Sequence, residues 1–378
     1  MKRTFENFFS KKTNLKKAFI LFLFIVTFIS LTSCTNSQKP AIGQEDDIIV
    51  IADSSLYSML EGEMLHVFEK IIYTPQPEHL FSLNRKDFRK FPKLQNRKNI
   101  ILLGTLDSND PTSEYIKASL DSSVTKLVEK NEAYFFNKND PWAKNQLVMY
   151  LVSNTVDELK RNILNGNEEL LYSFRNVSNH RLFSTLYKPR LENKKIEAEL
   201  LSKYNWSIYV QPEVELAKSD SVNNFVWLRS GRNRAIERWM FIHWIDNATA
   251  NYLTEDSLLS IRNRITKKYY RVSEDSVFVN LSYDMSRPKI QQASLNNRYA
   301  LMCQGFWKFN DKSGGGPFIS YSFFDENSGR FYMIDASIFA PKYYKKKLIQ
   351  RADVILNSFR TGDELTEDRK EDILSGLE

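Results

Sequence analysis

Two cysteines and four histidines are all that a chain of 378 residues offers in the way of soft metal ligands and nucleophiles. His66, His79, His180 and His243 stand in no His-Glu-x-x-His or His-x-His spacing, so no metal chemistry is indicated. Glycine is also scarce, with twelve residues, and three of these are consecutive at Gly314, Gly315 and Gly316. They follow Lys312-Ser313, whereas a phosphate-cradling loop needs the lysine after the glycines and a helix beyond. Here Pro317 and a strand-like run come next, so a hairpin turn is expected in place of a nucleotide site. There is no Gly-x-Ser-x-Gly elbow, and no cofactor is called for.

Charge is lopsided at one end only. Residues 1–17 hold six bases (Lys2, Arg3, Lys11, Lys12, Lys16, Lys17) and one acid, Glu6. Ala18–Leu31 then gives fourteen uncharged, mostly apolar residues, too few to span a bilayer, which takes about 20. Leu31-Thr32-Ser33-Cys34 follows, the pattern of a bacterial lipoprotein signal: small residues admit the peptidase at Ser33–Cys34, and the Cys34 thiol takes the lipid. Residues 1–33 account for +5 of the formal +7, leaving 7 − 5 = +2 for the rest, so no nucleic-acid partner is implied. With Cys34 lipidated, Cys303 stands alone, no internal disulfide can form, and the fold must rest on its core.

The expected organisation is a signal peptide over 1–33, a flexible tether over 34–46, a first α/β half over 47–175, a helical connection over 176–204, a second half over 205–362 and a loose acidic tail over 363–378. The fold class is α+β, each half a mainly antiparallel sheet flanked by helices. "DIIVIAD", "NIILLGTLD", "EAYFFN" and "QLVMYLVS" read as strands of the first half. Asp53 and the Thr155/Glu158 pair read as helix starts, with Gly166 an interruption. In the second half "WSIYVQPEV", "NNFVWLRS", "AIERWMFIHWID" and "DSVFVNLSY" are strands around a helix "DSLLSIRNRITKKYY". A three-strand meander over 297–340 and a helix over about 342–359 close it. Both halves end on strand, turn, helix and Ser-Phe-Arg, the signature a duplication would leave.

Candidate chemistry is thin. Trp227, Arg229, Arg232, Arg234, Arg238 and Trp239 form a basic-aromatic group in which Arg234 and Arg238 share one strand face and Trp239 takes the other. Guanidinium groups beside indoles suit an anionic glycan or a lipid headgroup. With Trp307 and Gly314–Gly316, the group makes up the candidate binding residues; a solvated sheet face over buried tryptophan explains the same pattern. Asp325, Glu326 and Asp335 are placed near strand ends, where turn solvation accounts for them. His243 reads as a packed residue and Cys303 as an inert core thiol.

Several phrases together, "PQPEHLF" (75–81), "WAKNQLVMYLV" (142–152), "FVWLR" (225–229), "RWMFIHW" (238–244), "GFWKF" with "GGGPFISY" (305–321) and "IFAPKYYKKKLIQRADVILNSF" (338–359), resemble an uncharacterised lipoprotein family of the Bacteroidota. The resemblance implies one full-length α+β domain of unknown function on an envelope lipoprotein, and it brings no catalytic residues. The closing sheet and helix look distantly similar to PsbP/Mog-type α+β sandwiches. The reading is therefore a lipid-anchored outer-membrane protein facing the periplasm, tethered through Cys34, that binds or assembles an envelope protein or glycan without catalysis. The alternative is an envelope hydrolase whose site is assembled from residues distant in sequence.

Overall fold

A computed structural model describes residues 38–188, 191–232, 234–272 and 276–377. Ser33, Cys34 and the whole signal segment lie outside the described residues. The chain folds as two α+β halves, as its patterning implies.

In the first half, β1 (Asp47–Ile51) leads to α1 (Ser54–Phe68), a small hairpin of β2 (Ile71–Tyr73) and β3 (Pro77–His79), then β4 (Ser82–Lys86) and β5 (Asn99–Thr105). Helices α2 (Pro111–Ser119) and α3 (Ser122–Glu129), strands β6 (Phe135–Asn139) and β7 (Leu147–Ser153), and helices α4 (Val156–Asn165) and α5 (Asn167–Leu186) complete it. The sheet order is β4-β1-β5-β7-β6. Contrary to the antiparallel expectation, three of its four ladders are parallel, and only β6 runs against β7. The physical reason is visible in β5 and β7, both buried along their full length. Continuous apolar runs of that kind suit a parallel sheet covered by helices on both faces. One face packs on α1, α4 and α5, the other on α2, α3 and the turn around Phe91.

Local chemistry sets the helix ends as the sequence suggests. The Asp53 carboxylate accepts the Ser55 N–H at 2.8 Å and caps α1, and Thr155 Oγ1 accepts the Glu158 N–H to cap α4. Gly166 separates α4 from α5. The segment expected to be a flexible tether is stitched down from Lys39 onward: Lys39 O accepts Lys144 N–H, and Ala41 and Ile42 donate to Lys144 O and Asn96 O.

The second half opens with α6 (Lys194–Tyr204) and continues through β8 (Trp206–Ser207), β9 (Val214–Asp220), β10 (Phe225–Ser230), β11 (Glu237–Ile245), α7 (Glu255–Tyr269), β12 (Arg271–Val272), β13 (Val277–Ser282), β14 (Lys289–Leu295), β15 (Arg298–Phe309), β16 (Gly315–Asp325) and β17 (Arg330–Phe339). It ends with α8 (Lys346–Leu356), β18 (Arg360–Thr361) and α9 (Glu367–Leu374). The large sheet runs β12-β13-β15-β16-β17-β11-β10-β9, antiparallel throughout, and β14 pairs the far end of β15. Helix α7 covers one face; α6 and α8 cover the other.

Four details differ from expectation. The run "WSIYVQPEV" is a strand only at β8 and at its last residue, Val214, which opens β9; between them Ile208, Tyr209 and Val210 are buried in the core without joining the main sheet. The last long helix starts at Lys346 rather than near 342, with Pro341 in the turn before it. The acidic tail is docked: α9 packs on α6 through Ile373, and Arg369 bridges Glu192 and Glu197 while Lys194 holds Asp372. The Ser-Phe-Arg echo is not structurally equivalent either, since Phe174 sits inside α5 whereas Phe359 follows α8 and leads into β18.

Candidate functional site: the cleft between the halves

Residues that the sequence could not pair meet where the two halves touch. The β2–β3 hairpin of the first half reaches over the start of α8 in the second. Glu78 Oε1 accepts the backbone N–H groups of Lys345 and Lys346 at 2.8 and 3.0 Å. A carboxylate there satisfies two orphan donors and complements the positive end of the helix. Lys346 Nζ answers by donating to Asp46 Oδ2 at 3.0 Å, His79 O at 2.6 Å and Leu80 O at 3.1 Å. Further along α8, Gln350 Nε2 donates to Ser178 Oγ and Asn179 Oδ1 of α5.

Beside this latch the halves leave a cleft in two lobes of about 250 and 770 Å³, which share Ile72, Leu80, Arg175 and Gln304. The smaller lobe lies against α8 and contains three carboxylates, Glu45, Asp46 and Asp353, of which Glu45 pairs with Lys98 and Arg181. Burial pushes Asp46 up, but the Lys346 hydrogen bond and the charges of Lys346 and Lys347 outweigh it and hold Asp46 below the usual carboxylate range. Burial dominates at Asp353 and raises it, even though Tyr321 Oη donates to its Oδ1 at 2.6 Å and Asn357 Nδ2 at 3.0 Å. All three carboxyl groups thus have partners inside the fold. The larger lobe has an apolar floor, with Leu80, Leu171, Met302 and Phe306, and a charged mouth with Lys70, Arg175, Glu168 and Lys289. Its rim carries exposed apolar side chains: Ile71 is 48% exposed, Tyr73 63% and Met285 50%.

The residues singled out from sequence gather elsewhere, at one end of the large sheet. On the α7 side, the Trp227, Tyr270, Trp239 and Trp307 rings follow one another at centroid distances of 5.0, 5.3 and 5.0 Å. The Arg229 guanidinium lies 5.7 Å from the Trp227 ring and 6.0 Å from the Trp239 ring, and its Nη2 donates to Glu237 Oε2 at 2.6 Å. Trp239 Nε1 donates to the same oxygen at 2.9 Å. Arg229 and Trp239 are therefore engaged inside the protein, and Trp239 and Trp307 are buried. Arg238 faces the opposite side and donates to Gln211 and Glu213. Arg234 does not share that strand face, because it sits in the turn before β11.

The three glycines belong to the β15–β16 connection. Gly315 and Gly316 stand in the ladder opposite Lys308 and Trp307, and a Cβ on Gly316 would come within 2.0 Å of Ile338 O on β17. The close neighbour is backbone. Gly314 instead abuts the Phe339 ring. Of the three acids, Asp335 is the one misplaced by sequence: it lies mid-strand in β17, fully buried. There it accepts Arg262 Nε at 2.7 Å, with Ser337 Oγ hydrogen-bonded to both partners. Asp325 does stand at a strand end, the last residue of β16, where it accepts from Ser328 and Arg298. His243 is packed as expected; burial drives it down to about 4, and its Nδ1 lies 2.8 Å from Asn224 O. Burial pushes the Cys303 thiol up to about 12, consistent with an inert residue.

Residues 41–186 match a domain of unknown function, DUF8532, and residues 193–358 match a second, DUF4837. Two domains of unknown function cover the chain. The single full-length domain implied by resemblance is thereby replaced by two, and their boundary falls between α5 and α6. No curated protein matches the chain. The cleft lies at the junction of the DUF8532 and DUF4837 regions. Two phrases that carried the resemblance, "PQPEHLF" and "IFAPKYYKKKLIQRADVILNSF", meet across it at Glu78 and Lys345–Lys346.

Proposed function

We propose that this chain is a lipoprotein of the bacterial cell envelope, of the Bacteroidota type, anchored through Cys34 to the outer membrane and facing the periplasm. It acts by binding or assembly rather than catalysis, and the inter-half cleft is its gripping surface. The observation that carries the binding role is the exposed apolar rim of Ile71, Tyr73 and Met285 around an apolar-floored cleft. A soluble surface keeps such a cluster at the cost of aggregation unless it meets a partner. The engagement of Asp46 and Asp353 by neighbouring lysines, tyrosine and asparagine supports a passive role for both.

Anchoring is supported by the basic, apolar and Leu-Thr-Ser-Cys segments, and the periplasmic orientation by the absence of an acidic, surface-export-like run directly after Cys34. Among the described residues no helix is long and apolar enough to cross a membrane. Only residues 35–38 separate Cys34 from Lys39, whose carbonyl accepts the Lys144 N–H in the β6–β7 connection. The five residue steps from Cys34 to Lys39 reach at most about 18 Å, so a lipid on Cys34 would hold the β6–β7 end of the first half close to the bilayer.

The test is fractionation and crosslinking of envelopes from cells carrying wild type or Cys34→Ala. Loss of membrane association in Cys34→Ala, together with recovery of a crosslinked partner by the wild type, is the expected result. A variant that stays membrane-bound defeats the anchoring, and a wild type that captures nothing defeats the binding role.

A further inference from the structure

The larger lobe is bordered by an unfinished sheet. Strand β14 pairs with β15 from Lys289↔Gln304 to Leu295↔Arg298, and among the described residues no strand pairs with its other edge. Proteins usually blunt such edges with proline, inward charge or a covering element. Within β14 there is neither proline nor an acid, only Lys289 followed by Ile, Gln, Gln, Ala, Ser and Leu. Lys289 and Gln291 stand on the face that looks into the cleft, beside Met302 and Gln304 of β15.

The charge at the cleft mouth is unbalanced. Lys70 and Arg175 share one carboxylate, Glu168, at the long distances of 4.0 and 3.9 Å. Asp284 is taken up by Lys308 at 2.7 Å through both oxygens. Lys289 is exposed and has no ion-pair partner among the described residues. The mouth therefore presents three cations to one available carboxylate, next to open backbone donors and acceptors and above an apolar floor.

We propose that the free edge of β14 takes an extended peptide segment of a partner protein as an added strand, with alternate side chains entering the cleft, an acidic one opposite Lys289 and an apolar one over Leu171 and Met302. Only a polypeptide supplies N–H and C=O groups at ladder spacing, so the edge favours a peptide over a glycan or a lipid. Main-chain bonds give such a complex its affinity, and the alternate side chains give it selectivity. Residues directly opposite across a ladder are close enough for the Lys289–acid pair to be felt. The proposal rests on the reading of this protein as a binder and names the class of partner.

The experiment pans a display library of random ten-residue peptides against the full chain. The enriched sequences should alternate acidic and apolar residues and lack proline. Enriched peptides remade with alternate backbone N-methyl groups should lose binding, and Lys289→Glu should weaken it by at least about tenfold. Val222→Glu, in the turn between β9 and β10 at the opposite end of the sheet, should leave it unchanged. A photocrosslinker at Gln291 should join the peptide to the protein. The proposal is overturned if nothing is enriched, if the peptides tolerate N-methylation or Lys289→Glu, or if Gln291 crosslinks only a second copy of the chain, which would mean self-pairing. Membrane fractionation of Cys34→Ala does not touch this groove. A Cys34→Ala chain that stays membrane-bound while the peptide still binds would sink the anchoring alone, and an envelope partner crosslinked elsewhere would sink the groove alone.

Discussion

The two halves solve one problem, a sheet covered by helices on both faces, with different interiors. In the first, the central strands β5 and β7 are buried from end to end and carry no charged side chain. In the second, β17 is almost as fully buried, yet Asp335 stands at its centre with Ser337 beside it. The difference lies in what the covering helix supplies. Helix α7 lays the Arg262 guanidinium over the sheet, 3.4 Å from the Phe318 ring centroid and bonded to Asp335 and Ser337. An antiparallel sheet can thus hide a carboxylate on a doubly covered strand, provided that its partner is built into the layer above.

The sharpest way to break this comparison is Asp335→Ala. It strands a guanidinium that is 1% exposed, and removing one partner of a buried pair typically costs about 3–5 kcal/mol. Urea unfolding of the purified chain should show a loss of that order. Arg262→Met with Asp335→Leu should recover most of it, because well-packed apolar replacements of buried pairs are often neutral or better. If Asp335→Ala is mild, the second interior is as forgiving as an exposed surface and the contrast between the halves collapses.

This contrast also marks how far the sequence could be read. Apolar runs such as "NIILLGT" and "LVMYLVS" announce buried strands by themselves, and Asp53 and Thr155 announce helix starts. Those continuous runs suit strands of a parallel sheet, but the pairings themselves join strands tens of residues apart, which no single run encodes. Asp335 read as a strand-end acid because its partner lies 73 residues away. The cleft was least legible of all. Its latch joins Glu78 to Lys345 and Lys346, 267 and 268 residues on, and a short lysine run gives no hint that its backbone N–H groups need a carboxylate. Of the basic-aromatic group, Trp227, Arg229 and Trp239 lie together, while Arg238 faces the other side and Arg234 sits in a turn. The group's role was harder to see, since Glu237, which occupies both Arg229 and Trp239, looks from sequence like any strand carboxylate.

A second, smaller test uses pH to set the halves apart. His243 in β11 has its folded value depressed to about 4 by burial, from an ordinary value of 6.5. Between those values the unfolded chain binds a proton that the folded chain refuses. Stability from this group is therefore fully present above about pH 6.5 and falls away as pH drops toward 4, by up to about 3 kcal/mol. His243→Phe should flatten the part of the pH profile that lies above the carboxylate range. Hydrogen exchange should place the acid-sensitive opening in β11 and β17 rather than in β5 and β7. Equal sensitivity in both sheets would mean that the histidine is not the cause.

The finest contrast concerns how closely the two sheets let a side chain approach. A Cβ on Gly316 would meet the Ile338 carbonyl oxygen at 2.0 Å, which is backbone of β17 held in the β11–β17 ladder and cannot step aside. A Cβ on Gly104 in β5 would meet Ile116 Cδ1 and Ser113 Oγ at 2.8 Å, side-chain atoms on α2, with the nearest backbone atom, Ser113 Cα, at 3.1 Å. Overpacking of this sort costs roughly 1–3 kcal/mol, with the larger values where nothing can relax. Gly316→Ala should therefore lower the urea midpoint more than Gly104→Ala does. Gly316→Ala should also disturb tryptophan fluorescence, because the new methyl lies 3.3 Å from Trp307 Nε1. Equal losses would show that the first sheet is packed as tightly against α2 as the second is against its own neighbouring strand, and the glycine run would then need a reason other than close backbone approach.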